Sequence, residues 1–290
     1  MTALARLGDY YELSKPRIIA LLLVTTAAAM AMAARGVPSV GLLFWTLLAG
    51  ALAAASAGAL NCVWDADIDR VMKRTQSRPI PAGRISRRDA TIYALLAGGT
   101  SFAIFYLLVD PLAAWLSLAG NAYYVGVYTM WLKRVTPLNI VVGGAAGAVP
   151  PLVGWAAVTH TLGGPALGLF ALIFLWTPPH FWSLALMTET EYGKANIPMF
   201  PNVYGTERTK REIVYYSIVL VAASLALYPL RIMGAFYFAG AAVLGGLFVL
   251  DALRTWRERS GTLQARRLFR YSLLYLALMC AVMVIDRIVS

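Results

Sequence analysis

The chain reads as an all-α, polytopic membrane protein with nine transmembrane helices, its N-terminus cytoplasmic and its C-terminus on the opposite side. Three observations lead there. Of its 290 residues, 60% are hydrophobic and only 13% are charged, whereas soluble domains average about 45–50% and about 25%. Nine stretches of mostly apolar residues approach the roughly 20 needed to cross a bilayer core. The basic residues fall on alternate connections, 22 on the side of the N-terminus and 3 on the other, the bias expected of cytoplasmic loops.

The apolar stretches are, in order, roughly 17–34, 40–60, 90–109, 112–131, 139–158, 164–186, 213–230, 233–252 and 269–287. The first follows Asp9, Glu12, Lys15 and Arg17 and carries no cleavage-like site, so it reads as a mature first helix rather than a signal or transit peptide. Connections at Asp110, at Thr159–Gly163 and near Arg231 are short, while those after the second and sixth stretches are long. Long loops four helices apart suggest one membrane-embedded domain over 1–290 built as a pseudo-repeat: helices 1–4 (about 17–131), helices 5–8 (about 139–252) and a ninth. The net charge of +11 then belongs to membrane loops, and no nucleic-acid partner is expected. Two cysteines, Cys62 and Cys280, exclude a disulfide scaffold or a cysteine-built zinc site.

Acids concentrate where the second helix leaves the membrane. Asn61, Asp65 and Asp69 are spaced i, i+4, i+8, so a helix presents them on one stripe, with Asp67 roughly opposite. Two stacked carboxylates repel unless a cation lies between them. An oxygen-rich pair suits Mg²⁺, which commonly joins one or two carboxylates to substrate phosphates. The bland alternative is a solvated helix end offsetting the arginines that follow, but acids at a membrane boundary are costly enough to suggest function. The next stretch, Arg70 to Arg84, brings Lys73, Arg74 and Arg78 close by, between Pro79, Pro81 and Gly83. Arginine grips phosphate bidentately and lysine acts as a point charge. Metal-binding carboxylates beside phosphate-binding cations describe a diphosphate site. Arg87 and Arg88 read instead as topology determinants.

These residues carry a resemblance. Asn61-xxx-Asp65-xxx-Asp69 resembles the first aspartate-rich motif of the UbiA-type intramembrane prenyltransferases. Lys15-Pro16-Arg17, Asp69-Arg70 with Arg74-Thr75 and Arg78-Pro79, Tyr128-Thr129 with Leu132-Lys133-Arg134, Asn139 to Gly147, Pro150-Pro151 with Gly154-Trp155, Thr177 to Trp182, and Ile197-Pro198-Met199 with Pro201 resemble the protoheme IX farnesyltransferase (heme O synthase) branch. They run in order from residue 15 to about 205; residues 212–290 match by hydropathy alone. The resemblance implies transfer of a farnesyl group from farnesyl diphosphate to a vinyl group of protoheme IX with addition of water, giving heme O and diphosphate. It implies Mg²⁺ on Asp65, Asp69 and Asn61, and diphosphate on Lys73, Arg74 and Arg78 with help from Lys15 or Arg17. It also makes Tyr128, Asn139, Glu191, Tyr192 and Lys194 substrate-binding candidates. The implied setting is the plasma membrane with a cytoplasmic-side active site, and contact with a heme A synthase or an oxidase assembly factor.

The second acidic segment departs from the family. It reads Thr188-Glu189-Thr190-Glu191-Tyr192, where heme O synthases more often show a basic residue and then Asp-Tyr. Glu191 stands as the replacement carboxylate and a metal candidate, with Glu189 able to share the task. His180 follows a Pro-Pro pair that should kink the sixth helix. It is a candidate for heme iron, with a propionate contact or a hydrogen-bonded structural role as alternatives. His160 reads as a surface residue. Pro150-Pro151 would break the fifth helix as Pro178-Pro179 breaks the sixth, opening room for a porphyrin. Gly143 and Gly147 form a small-xxx-small packing motif. Asn121, Tyr123, Tyr124 and Tyr128 are candidates for the cavity wall, although an ordinary interface role suits the tyrosines as well; Phe181 and Trp182 read as packing. Two other functions compete: a UbiA-type enzyme acting on a quinone precursor or chlorophyll-type ring, and a secondary transporter, whose acids would lie near the bilayer centre.

Overall fold

The computed structural model describes residues 3–289, and every regular element in them is helical. In chain order these are α1 (Ala3–Leu13), α2 (Pro16–Ala34), α3 (Val40–Trp64), α4 (Ala66–Val71) and α5 (Arg87–Ile104). Then come α6 (Pro111–Ala122), α7 (Lys133–Val135), α8 (Asn139–Thr159) and α9 (Gly164–Met187). The last five are α10 (Glu189–Lys194), α11 (Phe200–Tyr204), α12 (Thr206–Ala226), α13 (Ala235–Arg257) and α14 (Leu263–Val289). Two π-helical segments extend the rods, Phe105–Val109 after α5 and Tyr123–Leu132 after α6.

Local chemistry sets many of the starts. Ser39 accepts from Leu42 N, Ser86 from Asp89 N and Asp110 from Ala113 N, each supplying an acceptor for an otherwise unpaired first-turn amide. Pro16 and Pro111 sit at first helical positions, where a missing amide hydrogen costs nothing. Helices occupy all nine apolar stretches, and seven are long and apolar enough to cross a membrane: α2, α3, α5 with its π-helical extension, α8, α9, α13 and α14. The other two stretches differ in ways composition alone does not reveal. The fourth winds into a π-helix from Tyr123. The seventh begins earlier, at Thr206, with a charged turn, and ends at Ala226.

Helices α8 and α9 form the centre: 61% and 67% of their apolar stretches are buried, against 22–39% elsewhere. Helix α8 packs on α2, α6 and α9; α3 joins α5 on one flank; α9 joins α12 and α14 on the other, where α13 packs on both. The outer faces expose Phe44, Leu107, Trp115, Leu167, Tyr215 and Leu247, an apolar surface far beyond what a water-facing monomer presents.

Both proline pairs lie inside continuous helices, so the expected breaks are absent. Pro151, Pro178 and Pro179 are buried; the Pro150 carbonyl accepts from Thr26 Oγ1 (3.5 Å), and Thr177 Oγ1 turns back to Ile173 O (2.7 Å). The packing glycines also differ from the expected pair. A Cβ on Gly143 would sit 2.2 Å from the Tyr128 ring and one on Gly144 would sit 2.8 Å from Thr177, whereas Gly147 faces open space. Gly154 is nearly as tight and meets backbone, with the Thr26 carbonyl 2.4 Å from a hypothetical Cβ; it is where α2 crosses α8.

Candidate active site

Helix α3 ends at Trp64 and α4 begins at Ala66, yet the stripe survives the junction. Asp65 N donates to Asn61 O (2.9 Å) and Asp69 N to Asp65 O (2.8 Å), so the i, i+4 register continues. Asn61, Asp65 and Asp69 are all buried, while the Asp67 side chain is 56% exposed. The expected division into an inward stripe and an outward acid therefore holds.

Cations converge on the stripe from three parts of the chain. Lys15 donates to Asn61 Oδ1, and Asn61 Nδ2 donates to Asp65 Oδ2 (2.7 Å) and Thr129 Oγ1 (3.1 Å). Lys133 donates to the same Asp65 oxygen. Arg78 grips both oxygens of Asp69 at 2.8 and 2.9 Å, the bidentate geometry that suits guanidinium. Thr75 Oγ1 ties the loop to Asp69 O (3.1 Å). Lys15 itself adopts φ +57°, a left-handed conformation costly for a side-chain-bearing residue and retained where surrounding contacts demand it. Burial works against the Arg78 charge, but the Asp69 carboxylate outweighs it and leaves the guanidinium pKa raised.

The structure adds Lys133, Arg134 and Thr129 to the residues read as site candidates. The sequence offered two signals, the Tyr128-Thr129 and Leu132-Lys133-Arg134 string and the place of both cations after the fourth apolar stretch, on the same side of the membrane pattern as the acids. The 68-residue separation of Lys133 from Asp65 hid the contact. Arg134 pairs with Asp67 (2.8 Å), and this hydrogen bond holds the Asp67 pKa at about 2.

Other expected cations stay outside. Arg17, Lys73, Arg74 and Lys194 are exposed, and among the described residues they form no ion pair. Lys194 does line a cleft of about 340 Å³ with Asp67, Ile68, Val71, Arg134 and Ile197, which joins the two acidic segments. Tyr192 and Tyr128 pack around the buried cluster of Ile68, Met72, Ile140 and Ile197. Tyr124 stacks on Tyr128 (5.4 Å). Asn121 and Tyr123 are spent on Ala53 O and Val142 O, an interface role.

Among the described residues no three acidic, histidine or thiol groups converge as a metal cluster, so Glu191 does not close on the aspartate pair. The donor set nevertheless fits a hard cation. Asp65 Oδ1 and Glu191 Oε2 are buried oxygens without a hydrogen-bond donor, costly for a carboxylate unless another positive partner arrives. Asn61 is different: its oxygen faces Lys15 and its nitrogen faces Asp65, so here it orients the carboxylate instead of offering a free ligand atom. Asn139 is fully buried at the start of α8; Nδ2 donates to Thr136 O, and Oδ1 has no donor.

His180 is buried, with Nδ1 on Ser272 Oγ (2.6 Å), between the rings of Trp176 and Phe269 at 4.2 and 4.6 Å. Of its three readings, the hydrogen-bonded structural one has a visible partner. His160 is largely exposed and meets Asp110 (2.7 Å). Trp182 packs against Phe200 and Tyr216. Both cysteines are buried thiols.

A helical bundle with paired aspartates and cations at one end is the architecture of an intramembrane prenyl transferase, and the chain belongs to the UbiA prenyltransferase family, whose model matches residues 22–274. The relatives narrow the class. It is 51% identical over 279 residues to the protoheme IX farnesyltransferase of Trichodesmium erythraeum, covering 96% of this chain and 85% of that one. It is 52% identical to the enzyme of that name from Synechocystis (96% and 88% covered) and 50% identical to that of Gloeobacter violaceus (98% and 93%). Among solved structures it resembles a digeranylgeranylglyceryl phosphate synthase (TM-score 0.81, 17% identity, 99% and 100% covered). It also resembles a UbiA homologue from Archaeoglobus fulgidus bound to DMAPP and Mg²⁺ (TM-score 0.68, 20% identity, 95% and 99% covered). At such identities these two establish the fold.

Proposed function

We propose that this chain transfers the farnesyl group of farnesyl diphosphate to a vinyl group of protoheme IX, with addition of water, to give heme O and diphosphate. The relatives named above carry the choice of acceptor. The observation that carries the chemistry is the Lys15–Asn61–Asp65–Lys133 chain, its two central members buried, beside the Asp69–Arg78 pair. It concentrates positive charge where a diphosphate must depart.

When bound, Mg²⁺ would supply Lewis-acid stabilisation of the leaving diphosphate. Asp65 and Asp69 would hold it, with Glu191 contributing from the second acidic segment and Asn61 fixing the Asp65 carboxylate. Arg78, Lys133 and Lys15 then act on the substrate oxygens. As the carbon–oxygen bond breaks, negative charge grows on the diphosphate, and fixed cations stabilise it without reorganising. Lys73, Arg74 and Arg17 extend this positive field at the mouth, with Lys194 across the cleft. The allylic cation left behind is attacked by the vinyl π-electrons, forming the new carbon–carbon bond. Water captures the resulting benzylic-type cation and releases a proton. Tyr124, Tyr128 and Tyr192 wall this region and limit earlier access of water; Asn139 offers its unpaired carbonyl oxygen to a substrate donor, and His180, held by Ser272 between Trp176 and Phe269, keeps a structural role.

The same reading places nine spans in the plasma membrane with the N-terminus and active site cytoplasmic. The support is the helix in every apolar stretch and the lopsided distribution of cations. Heme O made within the bilayer would pass directly to a heme A synthase or oxidase assembly factor. The test is mass spectrometry of extracted hemes after incubation with protoheme, farnesyl diphosphate and Mg²⁺. Heme heavier by one farnesyl group plus water is the expected result; diphosphate release with unchanged heme would overturn the acceptor.

A further inference from the structure

A second basic site lies on the far flank of the bundle, where α13 ends and α14 begins. A cleft of about 380 Å³ is lined by Asp251, Leu263, Arg266, Arg267, Arg270, Tyr271 and Leu274. Residues 263, 266, 270 and 274 follow one another at three- and four-residue steps, with 267 three before 270, so they form one stripe of α14. All five are exposed. Asp251 is buried and already committed: Arg254 holds one oxygen (2.7 Å) and Arg267 Nε the other (3.3 Å). Among the described residues Arg266 and Arg270 form no ion pair or side-chain hydrogen bond.

This arrangement is unfavourable as it stands. Arg266 and Arg270 are like charges four residues apart. Arg266 also sits at the start of α14, the end where the helix dipole disfavours cations. Glu258 offsets part of this by accepting from Gln264 N, but its carboxylate faces the backbone. The pocket geometry, meanwhile, is fixed: Tyr271 is tied to Leu244 O (2.9 Å) and Arg267 to Asp251. From the arginines the exposed surface turns apolar, through Leu274 and Leu278 on α14 and Leu250 and Leu247 on α13. Both helices are apolar enough to cross a membrane, so their charged ends fall at its interface whichever side they face.

We propose that this cleft binds the phosphate of an anionic phospholipid, with Arg266 and Arg270 on the headgroup and the acyl chains along Leu247, Leu250, Leu274 and Leu278. Basic pockets between transmembrane helices provide such sites. The test is native mass spectrometry of the purified full chain exchanged into phosphatidylglycerol or phosphatidylcholine, with inorganic phosphate as a third probe. The wild type is expected to retain phosphatidylglycerol preferentially. Arg266→Gln with Arg270→Gln should weaken that retention by about thirtyfold, the scale expected for two cations at a charged membrane surface, while Arg266→Lys with Arg270→Lys should keep most of it. Both pairs are exposed changes, and helix content and thermal midpoint confirm folding. Equal retention of the two lipids, an unchanged preference in the double glutamine variant, or displacement of the lipid by stoichiometric inorganic phosphate would each overturn the assignment.

Discussion

Two short helices leave the apolar rods α3 and α9 in similar fashion. Helix α4 carries Asp67 and Asp69 in its first turn and Arg70 in its last; α10 carries Glu189 and Glu191 first and Lys194 last. Each is six residues long and follows a residue with ψ near zero, Asp65 at 8° and Thr188 at 17°. Their surroundings differ. Asp65 just before α4 and Asp69 within it are buried and held by Lys133 and Arg78, whereas among the described residues the Glu189 carboxylate meets only Thr206 Oγ1 (3.3 Å) and Glu191 keeps a buried oxygen without a donor. The first segment is thus largely assembled before substrate arrives, with one Asp65 oxygen left open, and the second has no cation on its carboxylates among the described residues and is left to be completed by what binds. Preorganised charge is the larger catalytic resource, so the two segments should differ in how much activity they control.

The largest effect is expected at Asp65. Asp65→Asn removes the carboxylate shared by Asn61 and Lys133, and heme O formation should fall by about 10³-fold or more, the scale of losing a central electrostatic group. Product mass spectrometry with diphosphate release measures it. Turnover near the wild-type level would collapse the distinction between the segments, because the buried network would then be only structural.

Lys133→Met comes next. It strips the partner from a buried carboxylate, so the protein should lose about 3 kcal/mol of stability as well as most of its turnover. Lys133→Arg separates the two effects: it restores charge without the compact ammonium, and should recover the thermal midpoint more fully than kcat.

Glu191 should matter less, and differently. Glu191→Gln is expected to lower turnover by about tenfold and to raise the Mg²⁺ concentration needed for half-activity, as loss of one of several oxygen ligands does. Titrating activity against Mg²⁺ reads this directly. A loss as deep as that of Asp65→Asn, with an unchanged Mg²⁺ requirement, would make Glu191 part of a preassembled site after all.

The same contrast explains what the sequence made legible. The Asn61–Asp65–Asp69 stripe depends on i, i+4 spacing and persists even though α3 stops at Trp64, because the backbone bonds across Asp65 keep the register. Asp67 turning outward follows from the same geometry. Hydropathy located the apolar helices, seven of them long and apolar enough to cross a membrane, for a similarly local reason. Lys133 stood in a motif string but was given no role, because its partner lies 68 residues away; the π-helical segment Tyr123–Leu132 that precedes it leaves no hydropathy signature. Pro150-Pro151 and Pro178-Pro179 suggested breaks from the missing amide hydrogens alone, but burial among α2, α8 and α9 holds both helices continuous. Arg17, Lys73 and Arg74 share the site's charge and neighbourhood, and only Arg78 has the reach and direction to meet Asp69.

Asp67 provides the smallest effect and the sharpest control. It sits on the same short helix as Asp69 but faces outward to Arg134, whose hydrogen bond pulls its pKa from 3.8 to about 2. A carboxylate with a depressed folded-state pKa contributes stability above its unfolded value and loses it as pH falls through the folded one. For Asp67 the loss therefore begins below about pH 4 and is complete only below about 2, so its pair with Arg134 is constant across the working range. The pair is largely exposed and screened by solvent, and such pairs contribute little. Asp67→Asn should accordingly change heme O formation by less than about twofold and leave the pH profile between 5 and 8 unaltered. A tenfold loss would mean that Arg134, released from Asp67, swings toward Asp65, whose second oxygen lies 3.9 Å from it. The outward acid would then be holding a cation away from the metal-binding oxygen, and the division between inward and outward faces of α4 would need to be redrawn around Arg134.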